Sequence, residues 1–315
     1  MGFILAIHGG AGTIRRATMT PELESGYHAG LCAALKAGHA VLAAGGPALD
    51  ATIAAVMAME DNPLFNAGRG AVYTSAGKLE MDAAVMEGRE RRAGAVAGIC
   101  GPRNPVLAAR AVMEHSDHEL LGGAGAMAFL NTQDIVFEAP EYFATERRWK
   151  ALQTELERRR MGAMTEADDS TRHGTVGAVA CDAQGNLAAS TSTGGMTGKL
   201  PGRVGDSPQI GSGTFADNGS CAVSCTGVGE LFVRYCAAHE ISARMRFLGE
   251  GLEAAADKVV TDLAPVGGNG GLVAVDAAGT VAMPFNCAGM YRGRIGEDGV
   301  AWTAIYREEL RADRG

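Results

Sequence analysis

One seam constrains this chain more than any other feature. From Met161 to His173 the composition turns to Gly, Thr, Asp and Ser with no apolar period, the pattern of an exposed linker. One glycine later, at Thr175, an apolar strand pattern begins and runs to Cys181. A buried strand that starts directly on an exposed segment implies that residues on both sides of the seam contribute to one core.

The rest of the chain reads as strands in blocks separated by helices in pairs. Phe3 to Ile7 is a buried-strand pattern ending in a glycine-rich turn, His8-Gly9-Gly10-Ala11-Gly12. Leu23, Tyr27, Leu31 and Leu35 recur every four residues, and Pro47 opens a second helix whose Leu49, Ile53, Val56 and Met57 share a face. Asn62-Pro63 and Asn66-Ala67-Gly68 force a loop. Ala71–Thr74 and Leu79–Met86 flank Ser75-Ala76-Gly77-Lys78 as a hairpin, and Ala93–Cys100 is a further inner strand. Helices are expected from Pro105 to about Ser116 and over roughly 140–160. Beyond the seam, Thr175–Cys181 and Leu187–Thr193 bracket a turn at 182–186, and Leu272–Val275 with Thr280–Phe285 bracket another. Helices at 230–245 and 250–263 lie between the two hairpins. This order predicts sheets covered by helical layers, an α/β sandwich.

With 36 acidic against 28 basic residues the formal charge is −8, which repels phosphate backbones and anionic membrane surfaces, so neither nucleic acid nor membrane is expected as a partner. Seven cysteines without a Cys-x-x-Cys pair read as free thiols of a reducing cytoplasm. The amino terminus has no basic segment ahead of its short apolar run and reads as a first strand rather than an export signal.

The chemistry gathers at His173-Gly174-Thr175-Val176-Gly177. Scission of the Gly174–Thr175 bond makes Thr175 a new amino terminus, carrying hydroxyl and free amine on adjacent carbons. An α-amine titrates at about pH 8, so its neutral fraction takes the hydroxyl proton. A peptide nitrogen cannot do this, and the uncut chain is therefore expected to be inactive. Gly174 lets the chain take a strained turn, and the β-branch of Thr175 restricts the direction of its hydroxyl. Three residues alone would be no more than a turn before a strand.

The neighbouring segments change that weight. Ser190-Thr191-Ser192-Thr193-Gly194-Gly195-Met196, Leu200-Pro201-Gly202-Arg203-Val204-Gly205-Asp206-Ser207-Pro208 and Ser224-Cys225-Thr226-Gly227-Val228-Gly229-Glu230 follow in order. Ile7–Gly12 and Pro63–Gly68 precede them, and Pro284-Phe285-Asn286 with Gly289-Met290 follow. Across nearly its whole length the chain resembles the plant-type asparaginase and isoaspartyl peptidase family of N-terminal nucleophile hydrolases. The resemblance implies a four-layer αββα sandwich spanning 1–315 as a single domain, autocleaved after Gly174 into an α piece 1–174, with its linker at about 161–174, and a β piece 175–315. It makes Thr175 the nucleophile, Thr193 its supporting hydroxyl, and Thr226 with the N–H of Gly227 the oxyanion donors. It maps a substrate clamp onto Arg203 for the α-carboxylate and Asp206 for the α-ammonium of an aspartyl unit. Gly229 lets the backbone approach the ligand, and Asn66 lies near the site. It also implies a structural sodium ion on the backbone carbonyls of Met59, Glu60, Asn62, Phe65, Ala67 and Arg69, no cofactor for catalysis, and a dimer of αβ pairs. The expected substrates are β-aspartyl dipeptides and L-asparagine.

Rival readings are weaker on the residues. Gly10-Ala11-Gly12 lacks the third glycine of a dinucleotide fingerprint, since position 15 is Arg, and Gly194–Leu200 is not a phosphate loop. The histidines are scattered without a paired metal-ligand motif, and 220–229 has no Gly-x-Ser-x-Gly elbow. An uncleaved relative that only binds small amino acids stays open, as does a glycosylasparaginase-like amidase, although the latter is generally exported and disulfide-bonded.

Overall fold

The computed structural model describes residues 2–162 and 174–313. Among them a nine-stranded sheet and a four-stranded sheet face each other. Strands β1 (Ile4–Gly12), β2 (Met81–Glu87), β3 (Ala93–Ile99), β5 (Val176–Cys181), β6 (Leu187–Thr193) and β11 (Gly289–Gly296) form the body of the large sheet, in the order β11-β1-β5-β6-β2-β3. Short strands extend it at both edges: β4 (Leu120–Gly122), β12 (Trp302–Ala304) and β13 (Arg311–Ala312). The small sheet joins β7 (Thr214–Ala216), β8 (Cys221–Gly227), β9 (Gly270–Asp276) and β10 (Val281–Ala282). Each half of the chain thus supplies inner strands to the large sheet, as the position of the seam requires.

Side-chain alternation sorts the residues into two cores. Leu5 and Ile7 of β1 pack with Leu31, Leu35 and Val56, while Ala6 between them turns the other way to meet Val179, Val223 and Leu272. The first core is covered by helices α1 (Pro21–Ala43), α2 (Ala48–Glu60) and α3 (Pro105–His115). The second lies between the sheets and beneath helices α8 (Ala237–Leu248) and α9 (Leu252–Leu263). The layers are helices, sheet, sheet, helices, the expected αββα order. The start of α1 follows its sequence cues, with Pro21 in the first turn and the Thr20 hydroxyl accepting from Leu23 N at 3.2 Å.

Four local expectations are corrected. β1 does not stop at Ile7 but continues through the glycines to Gly12, with a bulge between His8 and Ala11 where it pairs with β11. Ala71–Thr74 is not a hairpin strand: Thr74 N closes the expected turn on Lys78 O at 2.8 Å, but beyond it Gly198 N donates to Tyr73 O and Ser75 N to Lys199 O, both at 2.8 Å. The helix expected over 140–160 is two, α5 (Pro140–Phe143) and α6 (Glu146–Arg160), since Ala144 is extended and the Thr145 side chain caps the second by accepting from Arg148 N. The helix expected at 230–245 breaks at Cys236, whose left-handed φ of 47° separates α7 (Gly229–Arg234) from α8. The expected linker falls almost entirely on 163–173, outside the described residues.

The sheets approach so closely near one strand end that side-chain volume is excluded there. A Cβ on Gly177 of β5 would overlap both Ser224 Oγ of β8 and His8 Nε2 of β1. Gly125, in helix α4 (Gly123–Leu130), has nothing within 4 Å of such an atom. Gly177→Ala is therefore expected to lower unfolding stability by about 1–3 kcal/mol, and Gly125→Ala to leave it unchanged or raise it by roughly 1 kcal/mol. Chemical denaturation of the two variants checks this.

Candidate active site

The antiparallel register of β5 and β6 pairs Val176 with Ser192, which sets Thr175, one residue earlier, beside Thr193. Thr175 is buried, and its hydroxyl donates to Thr193 Oγ1 at 3.1 Å. Thr193 Oγ1 also accepts from Gly195 N at 2.9 Å and donates its own proton to the carbonyl oxygen of Gly174 at 2.9 Å. That carbonyl takes a second hydrogen bond, from Asn66 Nδ2 at 2.8 Å. Asn66 is itself immobilised: Nδ2 reaches Gly195 O at 2.7 Å, and Oδ1 accepts from Val72 N at 2.9 Å. The oxygen of the 174–175 peptide thus carries two donors, with a hydroxyl poised at its side.

Gly174 does not serve through a strained turn, because its φ of 158° is close to extended. Glycine is needed there for space: a Cβ would lie 3.0 Å from Asn66 Cβ. Gly10 is the complementary close approach. Its φ of 112° is in the glycine region, and a Cβ on it would stand 3.2 Å from Gly174 Cα and 3.4 Å from Thr175 N.

His8 is fully buried and was not singled out by the sequence. Its Nδ1 lies 3.0 Å from Thr175 O, and since a carbonyl only accepts, Nδ1 carries the proton. Nε2 then accepts from Ser224 Oγ, 2.9 Å away in the other sheet. Burial pulls the imidazole down to about 3, so it is neutral at physiological pH. A lone histidine in a strand gives no sign of this bridge; room for its Nε2 comes from Gly177, where a Cβ would overlap it.

Thr226 and Gly227 close β8 across from Thr175. Ala11 N donates to Thr226 Oγ1 at 3.2 Å, which leaves the Thr226 proton available to a second acceptor. At Gly227, φ is 154° and a Cβ would overlap Asn269 O. A small cavity joins Gly174, Thr175, Thr193 and Gly227 to Arg203 and Asp206. Asp206 is buried with Oδ2 lacking a hydrogen-bond partner, and burial raises its carboxyl to about 7 against the lowering effect of its own backbone N–H and of Arg203. Arg203 is gripped from one side by Glu230, which accepts from Nε and Nη2 at 2.9 Å each. Its Nη1 turns toward Gly195, where a Cβ would stand 3.4 Å from it. Gly229 is the point where the clamp converges, since a Cβ there would lie 2.7 Å from Asp206 Oδ1 and 3.0 Å from Arg203 Nη2.

Two further charges support this floor unseen by the sequence. Lys199 and Asp82 are both buried, 3.9 Å apart, with Lys199 Nζ donating to Glu80 O and Asp82 Oδ1 accepting from Gly98 N. Burial raises the Asp82 carboxyl and lowers the Lys199 ammonium, each opposed by its partner. The β2–β6 register sets Asp82 opposite Thr193, so the pair lies directly behind the site.

The loop carrying Met59, Glu60, Asn62, Phe65, Ala67 and Arg69 is separate from the nucleophile but contains Asn66, and its turns position that amide. Among the described residues no cluster of three or more His, Cys, Asp or Glu could hold a metal ion, and no helix is long and apolar enough to cross a membrane. All seven cysteines are free, with Cys100 and Cys236 exposed.

The chain is similar to known proteins over nearly its whole length. The profile of a family described as asparaginase matches residues 1–305. An isoaspartyl peptidase of Salmonella typhimurium is 50% identical over 312 residues, 97% of this chain and 99% of that protein. An isoaspartyl peptidase of Escherichia coli is 49% identical over 313 residues, 97% of each chain. A plant-type L-asparaginase of Pyrococcus horikoshii is 40% identical over 294 residues, 90% of this chain and 92% of its own.

Proposed function

The chain belongs to the asparaginase family, and on that premise we propose that it is a self-cleaving amidohydrolase that releases L-aspartate from β-aspartyl dipeptides and from L-asparagine. The observation that carries the reading is the doubly bonded Gly174 carbonyl beside the Thr175 hydroxyl.

In the uncut chain, Thr175 Oγ attacks the Gly174 carbonyl carbon. Thr193 Oγ1 and Asn66 Nδ2 stabilise the oxygen as it gains charge. The carbon–nitrogen bond breaks, the nitrogen takes the hydroxyl proton, and an ester joins Gly174 to the Thr175 side chain. Water splits that ester, leaving a carboxylate on Gly174 and restoring the hydroxyl, now next to a free α-amine.

The same hydroxyl then serves external amides. The neutral amine takes its proton, Oγ attacks the β-carbonyl of the substrate, and the oxyanion is held by the Thr226 hydroxyl and the Gly227 N–H. The leaving nitrogen collects the proton, and water releases aspartate from the acyl-enzyme. Arg203 and Asp206 bind the α-carboxylate and α-ammonium, which leaves the β-carbonyl as the group presented to Thr175.

Intact mass measures the first step. Wild type is expected to yield pieces of residues 1–174 and 175–315. Thr175→Ala stays whole, and Asn66→Ala, which removes one of two donors, splits about 10²–10³-fold more slowly. An unbroken, active wild-type chain would overturn the mechanism.

The pH profile measures the second. A free enzyme must deprotonate both the Thr175 amine, at about 8, and Asp206, at about 7, before it can bind and attack. Because Asp206 is raised, its carboxylate is lost as pH falls through 7, and affinity for the ammonium goes with it. Log kcat/KM is expected to fall with a slope of about one below pH 8 and about two below pH 7. Asp206→Asn lowers kcat/KM throughout and keeps a single slope; an unchanged double slope in that variant would remove Asp206 from the clamp.

The sodium assignment belongs to the same reading. Its support is a tightly wound loop in which backbone oxygens pack against glycines: a Cβ on Gly68, at φ 50°, would lie 2.5 Å from Glu60 O, and one on Gly70 would overlap Phe65 O. Oxygen-only donors suit a hard cation. The carbonyls of Met59, Glu60, Asn62, Phe65, Ala67 and Arg69 would hold the ion, whose chemistry is structural: it fixes the loop that presents Asn66. Exchange of sodium for choline is expected to lower the thermal midpoint and re-addition to restore it; equal midpoints count against the site. A dimer of αβ pairs rests on the family resemblance, and a cytoplasmic location on the seven free thiols.

A further inference from the structure

A β-aspartyl dipeptide carries three charges, and the clamp answers two of them. Arg203 and Asp206 match the aspartyl α-carboxylate and α-ammonium; the α-carboxylate of the second amino acid, which departs with the leaving nitrogen, has no partner on that side. Asparagine lacks this third charge, because its leaving group is ammonia. The aspartyl clamp therefore cannot tell the two substrates apart, and any discrimination must come from the far side of Thr175.

That far side is a narrow cleft of about 20 Å³, partly open to solvent, which shares Gly174 with the catalytic cavity. Gly10, Asn66, Tyr27, Arg147 and Arg148 line it. Arg148 is buried, yet it has no carboxylate partner among the described residues; Nε donates to Gly70 O at 2.8 Å and Nη2 reaches Leu64 O at 3.5 Å. Burial, then the neighbouring Arg147 charge, pulls its guanidinium down to about 10. Arg147 is exposed at the mouth, its guanidinium 5.9 Å from the centre of the Tyr27 ring, and it too makes no ion pair among the described residues. Two adjacent guanidiniums, one desolvated and neither neutralised, form a local excess of positive charge on a chain whose net charge is −8. A fixed buried cation of this kind is costly unless an anion approaches it.

Resting on the function proposed above, we propose that this cleft is the leaving-group subsite, in which Arg147 and Arg148 receive the α-carboxylate of the amino acid released from a β-aspartyl dipeptide. Gly174 lines both the cleft and the cavity of Thr175, so the cleft adjoins the peptide that is proposed to be cut. Arg148 supplies the desolvated charge and Arg147 the adjustable one at the solvent edge.

The test compares three substrates on processed enzyme: β-aspartyl-leucine, its C-terminal amide, and L-asparagine. Wild type is expected to lose about tenfold in kcat/KM on going from the free carboxylate to the amide. Arg147→Gln is expected to lose a similar factor on β-aspartyl-leucine, mainly through KM, while keeping wild-type rates on the amide and on asparagine. Arg148→Lys, which keeps the charge but loses the fork, gives a smaller loss with the same pattern. Equal wild-type rates on acid and amide, or an Arg147→Gln defect that is as large on asparagine, would overturn the subsite while leaving the catalytic reading intact. Processed wild type that hydrolyses neither β-aspartyl-leucine nor asparagine would overturn both.

Discussion

The bridge from His8 to the Thr175 carbonyl is the contact on which the rest of the site depends. A nucleophile that becomes a chain terminus loses the covalent tether on one side, and a terminal residue tends to fray. Fixing a backbone residue costs about 1–2 kcal/mol in conformational entropy, so something other than chain continuity must hold Thr175. Its hydroxyl is held by Thr193 and its carbonyl by His8, and neither contact uses the bond that is cut. His8 in turn is anchored through Ser224 to the facing sheet, where Thr226 and Gly227 lie two and three residues further along the same strand. One imidazole therefore ties Thr175, at the head of β5, to the strand that ends in Thr226 and Gly227. Its burial keeps it neutral, so the tautomer demanded by the carbonyl is maintained through the working pH range.

How much of this was legible in the sequence depends on whether a role shows in the residue or in its surroundings. Thr175 stood out because a strand began on it directly after a polar segment, and Thr193, Arg203, Asp206, Thr226 and Gly227 followed from ordered motifs; the register and the shared cavity bring Thr175, Thr193, Arg203, Asp206 and Gly227 together, with Thr226 next to Gly227 at the end of β8. The layer order was also readable, because alternation on β1 and β5 divides side chains between two cores. The helix breaks at Ala144 and Cys236 were not, since neither residue is a glycine or proline and the flanking apolar period runs through both. Nor was the partner of Tyr73 and Ser75, because the turn signal at 75–78, which does close, carries no information about a backbone segment more than a hundred residues away. Glu230 was visible as part of a motif but not as the residue that orients Arg203, and the buried Lys199–Asp82 pair gives no sequence signature at all.

The glycines make one physical point in common. Gly10, Gly177 and the pair Gly227 and Gly229 come from three different segments, yet each is a position where a Cβ would crowd another part of the site: the backbone at Gly174, the His8 bridge, the neighbouring strand and the Arg203–Asp206 pair. The site is built by backbone approaching backbone, which leaves little room for alternative rotamers and places hydrogen-bond donors at fixed distances. Electrostatic stabilisation of a developing charge works best from donors that need not move when the charge appears. The glycine content of this chain, 45 of 315 residues, is in these positions a requirement of the chemistry rather than of chain flexibility.

Charge is distributed with the same economy of movement. On the aspartyl side, the Arg203 guanidinium is held by Glu230 while Asp206 is buried without a hydrogen-bond partner for Oδ2, so the clamp has one charge already compensated and one waiting for a ligand. An ammonium entering there restores the ionised form of a carboxyl that burial has raised, which couples binding to deprotonation of Asp206. A ligand without the α-ammonium would lose that coupling, because it leaves the raised carboxyl of Asp206 without a counter-charge. On the proposed function, selectivity for a zwitterionic aspartyl unit arises from what burial does to one carboxyl group, and the missing Cβ of Gly229 leaves room for Asp206 Oδ1 and Arg203 Nη2 to approach the same backbone position.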